Sequence, residues 1–94
     1  MPYVKQVIRD ELDETIEQLG EQIFALHKQE GRDRDGMINY TITKLLMHAY
    51  PSVSYKVHNE IIGALECCKQ EWYRIQVAPY EDEKIKENGE VSRD

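Results

Sequence analysis

Two stretches of this 94-residue chain carry apolar side chains at the same intervals: four, four, three, four and three residues. The first is Ile8, Leu12, Ile16, Leu19, Ile23 and Leu26; the second is Val57, Ile61, Leu65, Cys68, Trp72 and Ile75. Intervals of three and four gather side chains on one side of an α-helix, whereas a half-buried strand alternates every second residue. The pattern predicts an all-α fold with near-heptad seams, and no stretch reads as a convincing strand.

Around the first stripe the spacing predicts a helix over residues 8–29. Asp10 and Glu11 suit its N-terminal end, and His27 and Lys28 its C-terminal end, where the helix dipole favours each sign. Gly20 interrupts it at a cost of about 1 kcal/mol against Ala, which a close helix crossing would explain. Residues 30–36, Glu30-Gly31-Arg32-Asp33-Arg34-Asp35-Gly36, hold no apolar side chain and predict a charged loop. A second helix is expected over 38–49, with Asn39 as N-cap, stopped by Pro51 with Tyr50 biased out of the helical region. Ser54 then caps the longest helix, over 55–77, where Gly63 marks a second expected close contact. Pro79 should break that helix and open a short one over 80–87, stopped at Asn88-Gly89. Residues 1–7 and 90–94 read as extended or frayed.

Ninety-four residues support one domain, here 1–94, with a thin core. The fold expected is a compact bundle of three main helices plus a short C-terminal helix. Flanking the second stripe, Ile62, Cys67 and Tyr73 widen its apolar face, which on so short a chain argues for a homo-oligomer. The formal net charge is −6, with Lys and Arg scattered, which argues against non-specific nucleic-acid binding and against an anionic membrane surface. The N-terminal residues lack the apolar stretch of a signal peptide, and no apolar run is long enough to span a bilayer. The adjacent pair Cys67 and Cys68 reads as reduced thiols of a cytoplasmic protein, since a disulfide between neighbours inside a helix would not close.

No motif for catalysis stands out. His27, His48 and His58 fall in three different elements, without the spacing of a metal site. No serine sits in a G-x-S-x-G elbow, and no glycine-rich phosphate loop follows a strand. Asp33 and Asp35 lack the further oxygen ligands of a calcium loop. No enzyme activity, metal or cofactor is expected. Six tyrosines stand out instead. Their flat rings and polar tips suit stacking on a base, and several lie near cationic or amide side chains, as Tyr73 does beside Arg74 and Tyr80 near Lys84. The bland alternative is that these rings cap the edges of a thin core. A helix-turn-helix over the second and third helices is a weaker option, since it offers bases only Lys56 and Asn59.

Several segments together carry a resemblance: Met1-Pro2-Tyr3, Ile38-Asn39-Tyr40-Thr41-Ile42-Thr43, Asn59-Glu60-Ile61-Ile62-Gly63-Ala64-Leu65-Glu66-Cys67, Tyr73-Arg74, Ala78-Pro79-Tyr80-Glu81-Asp82 and Lys84-Ile85-Lys86-Glu87-Asn88-Gly89. The chain resembles a family of small uncharacterised proteins of bacteriophages and scattered prokaryotes that carry a domain-of-unknown-function label. The charged insert Arg32 to Asp35 is longer than is usual there. The resemblance implies a phage-type accessory protein, acting in the host cytoplasm, and supplies no activity or catalytic residue. By analogy with small helical phage proteins, the expectation is an oligomer that sequesters a small nucleotide-like signal to counter host defence. Tyr40, Tyr73, Arg74, Tyr80, Lys84 and Asn88 would be the stacking and phosphate-contacting groups. The alternative from another class is a protein–protein interaction module that inhibits or regulates a host factor through an apolar helix face.

Overall fold

The computed structural model describes residues 4–31 and 33–91, and every regular element among them is helical. In chain order these are α1 (Gln6–Glu30), α2 (Arg34–Ala49), α3 (Tyr55–Trp72), a π-helical segment (Tyr73–Val77) and α4 (Ala78–Asn88). The all-α fold with three main helices and a C-terminal one is as expected. The chain divides into two compact units, Met1–Pro51 and Ser52–Asp94. No linker announces this division in the sequence, because α2 and α3 are separated only by residues 50–54.

In the first unit α1 starts earlier than its stripe suggests, so Gln6 and Val7 are helical rather than extended. Its N-terminus has no side-chain cap. The Arg9 guanidinium instead reaches back to donate Nε–H to the carbonyl oxygen of Val4 at 2.6 Å. Asp10 and Glu11 therefore lie beyond the first turn. At the other end His27 and Lys28 occupy the last turn, as the dipole argument required. Gly31 closes α1 in the left-handed region at φ 62°, donating its N–H to the His27 carbonyl at 3.0 Å. A glycine there adopts this conformation with no Cβ penalty.

The predicted loop over 30–36 is corrected by the structure. Glu30 still belongs to α1, and α2 begins at Arg34 rather than Ile38. The N-cap is Asp33, not Asn39: its carboxylate accepts the backbone N–H of Asp35 at 3.0 Å and so satisfies one of the orphan donors of the first turn. Charge composition suggested a loop, but the capping chemistry of one aspartate extends the helix by a turn. Asn39 lies inside α2, where it accepts from Thr43 Oγ1. Before Pro51, Tyr50 leaves the helical region at φ −123° and ψ 75°. Among the described residues one side chain, Ile23, is buried; its exposure is 8%.

In the second unit Ser54 caps α3 as expected, accepting the Val57 N–H at 3.2 Å. Pro79 does not break the helix. The backbone stays helical from α3 through Ala78, and the register shifts instead. Ala78 donates its N–H to the Tyr73 carbonyl, five residues back, which defines the π turn. Pro79 falls in the first turn of α4, where its missing N–H is tolerated. The π turn absorbs the irregularity that a proline would otherwise impose as a break. Gly89 ends α4 at φ 85°, donating to the Ile85 carbonyl at 2.8 Å.

The expected crossings at Gly20 and Gly63 are not found, since a Cβ at either position would meet no atom within 4 Å. Both cysteines are free thiols, Cys68 exposed and Cys67 half-buried. Among the described residues no helix is long and apolar enough to cross a membrane.

Candidate functional site

Five of the six predicted ligand-contacting residues belong to the second unit: Tyr73, Arg74, Tyr80, Lys84 and Asn88. Tyr40 belongs to the first. It stands on α2, 67% exposed, and lines an apolar groove of about 360 Å³ with Leu19, Ile23, Leu26 and Met37. The predicted set is therefore divided between the two units.

The most regular part of the set is on α4. Tyr80, Lys84 and Asn88 are four residues apart, so they form one row along a helix face. The Lys84 ammonium lies 5.6 Å from the centroid of the Tyr80 ring, within cation–π range. It also pairs with Glu87 Oε2 at 3.2 Å. Lys84 and Asn88 open onto a groove of about 310 Å³, whose other walls are Glu81, Ile85 and residues 89–91. Asn88 offers both a donor and an acceptor at its rim.

Tyr73 and Arg74 are engaged differently. The Tyr73 hydroxyl donates to Glu81 Oε1 at 2.5 Å. That carboxylate, by accepting the proton and by its charge, raises the phenol above its ordinary pKa of 10.0. Arg74 makes a two-pronged contact with Glu71, Nη2 to Oε2 at 3.0 Å and Nε to Oε1 at 3.3 Å. Upstream, Gln70 and then Lys69 hold the Glu66 carboxyl below its ordinary value of 4.5.

Sequence reasoning missed these carboxylates. Glu71 with Arg74 and Lys84 with Glu87 are spaced three apart on a helix, a signal that was legible. Glu81 with Tyr73 was not, because the pairing depends on the π turn. Also missed was a shallow apolar groove of about 540 Å³ at the π segment, lined by Lys69, Gln70, Trp72, Tyr73 and Val77. Among the described residues no cluster of three His, Cys, Asp or Glu side chains has the geometry to hold a metal ion. What the α4 row can do is stack a flat ring on Tyr80, present an ammonium to an anion and hydrogen-bond through Asn88.

Compared with known proteins, the chain matches one family model, described as Domain of unknown function (DUF6899), over residues 1–91. No curated protein and no solved structure matches it.

Proposed function

The chain belongs to this family of unknown function, and from that premise we propose that it is a non-enzymatic binding protein, a phage-type accessory that assembles through its helix faces and sequesters a small nucleotide-like anion. The observation that carries the reading is the α4 row, with the Lys84 ammonium 5.6 Å from the Tyr80 ring and Asn88 one turn further on. A stacked base would use the Tyr80 face, and a phosphate would take Lys84 from Glu87. An exposed Lys–Glu pair is worth only about 0–1 kcal/mol, so that exchange costs little. Arg74 can supply a second cation by the same kind of exchange with Glu71.

The test is thermal unfolding with a panel of cyclic and linear nucleotides. A ligand that binds only the folded state raises the melting temperature, by a free energy of about 2.7 kcal/mol at a hundred times its Kd. The expected result is a shift with some nucleotide that is lost in Tyr80→Ala and Lys84→Ala. No shift with any nucleotide at saturating concentration overturns the reading.

A second reading, that the chain docks on a host protein through an apolar helix face and inhibits or regulates it, has its own support. Ile62 and Trp72 on α3 are 66% and 62% exposed and offer large apolar side chains to a partner. Under that reading Trp72→Ala abolishes binding of the host factor, while Tyr80→Ala leaves it intact.

A further inference from the structure

We propose that the anion taken by the α4 row is a phosphodiester, carrying one negative charge on each phosphate, and not a phosphate monoester or a polyphosphate. This rests on the nucleotide reading above and narrows it to one class of ligand. Residues 78–91 hold five carboxylates, Glu81, Asp82, Glu83, Glu87 and Glu90, against the two ammonium groups of Lys84 and Lys86, a formal charge of −3. The four carboxylates on α4 itself lie within three residues of Lys84, about 5 Å along the axis at 1.5 Å per residue. That is inside the screening length of about 8 Å at physiological salt. Glu90 lines the same groove as Lys84 and Glu81. An anion at Lys84 therefore meets one cation in an acidic surround.

No second positive group of this helix can join Lys84 on the same phosphate. Lys86 is turned from it by about 200°, at 100° per residue, and is paired with Glu83 at 3.2 Å. Arg74 stands ten residues earlier, about 15 Å along the axis, so it can meet a different phosphate but not share this one. Backbone donors add nothing, because only the first four N–H groups of a helix lack an internal partner and Lys84 lies beyond them in Ala78–Asn88. Asn88 contributes a neutral donor. Drawing Lys84 away from Glu87, now 3.2 Å from it, also leaves that carboxylate uncompensated beside the ligand. One ammonium balances one charge. A diester carries one, whereas a monoester carries roughly −1.5 to −2 at neutral pH, and its excess faces carboxylates alone.

Esterifying the phosphate tests this without altering base or sugar. Titration calorimetry of the full chain, at about pH 7.5 where the monoester is close to dianionic, compares three probes in each series. These are the nucleoside monophosphate, its phosphate methyl ester and the cyclic monophosphate, for adenosine, guanosine, cytidine and uridine. The two diesters should bind at least about fivefold more tightly than the monoester of the same base, the worth of one exposed charge contact. Glu90→Gln should narrow that gap, because removing a carboxylate from the groove favours the monoester more than its methyl ester. A monoester that binds as tightly as its methyl ester, or a gap that Glu90→Gln leaves unchanged, overturns the inference while the nucleotide reading stands. If no probe of either kind binds, the nucleotide reading falls and this inference falls with it.

Discussion

The Tyr73 hydroxyl bonds the Glu81 carboxylate across eight residues of continuous helix. In a regular α-helix two such positions are turned by about 80° from each other, at 100° per residue, and their side chains diverge. The π turn at Tyr73–Val77 adds one residue to the helical circuit. Across it the pair stands as positions seven apart would, turned by only about 20°, and a phenol and a carboxylate of this reach then meet. Pro79, the π turn and this hydrogen bond are one structural unit.

The bond has a pH signature. Glu81 holds the Tyr73 phenol above its ordinary pKa, so the contribution to stability is fully present below the unfolded value of 10.0 and is lost as pH rises through the raised folded value. Glu81→Gln removes the charge that favours the protonated phenol. Ultraviolet absorbance of the phenolate should then show one tyrosine fewer titrating late. An unchanged titration curve would detach Tyr73 from Glu81.

Pro79→Ala restores a backbone donor in the first turn of α4 and lets the helix return to regular register. We expect the π turn to disappear, Tyr73 to titrate near its ordinary value, and stability to rise by about 1 kcal/mol, less than the ~3 kcal/mol of an interior proline because Pro79 sits in a tolerant first turn. Amide chemical shifts over Tyr73–Val77 check the register, and urea unfolding checks the sign.

Capping should account for the two helix starts. Asp33→Ala removes the acceptor for Asp35 N–H and Ser54→Ala that for Val57 N–H, each at a cost of about 1 kcal/mol. Because Asp33 opens α2 where composition suggests a loop, its loss should unravel the first turn, visible as faster amide exchange from Arg34 to Met37. Protection that stays unchanged there would show that some other group starts the helix.

Gly31→Ala tests the left-handed turn. At φ 62° a Cβ is strained, so the substitution should cost about 1 kcal/mol. The same change at Gly20, where φ is helical and nothing lies within 4 Å, should stabilise an isolated chain by about 1 kcal/mol. The two opposite signs, at Gly31 and at Gly20, are read by urea unfolding.

Glu87→Gln frees Lys84 from its exposed partner. If the α4 row holds an anion, this variant should bind it several-fold more tightly, by up to about 1 kcal/mol, and Lys84→Ala should bind it least. Titration calorimetry with the nucleotide found in the thermal screen gives the order.

Periodicity at three and four residues determined the helical class, and local capping chemistry determined Ser54, Tyr50 and Gly89 as boundaries, because these signals act within one turn of chain. Other readings failed, among them Asn39 as N-cap and the crossings at Gly20 and Gly63. The charged stretch 30–36 looks like a loop until Asp33 is seen to cap Arg34–Ala49, and Pro79 looks like a break until the register shift beside it is seen to absorb it. The paired carboxylates Glu71 and Glu87 were within reach of spacing alone, whereas Glu81 was not. That Lys84 meets Tyr80 follows from their four-residue spacing on one helix, whereas the meeting of Tyr73 with Glu81 was decided by the register of the folded helix. Composition counts side chains but says nothing of their direction, and a single inserted residue in a helix rotates everything after it by about 100°.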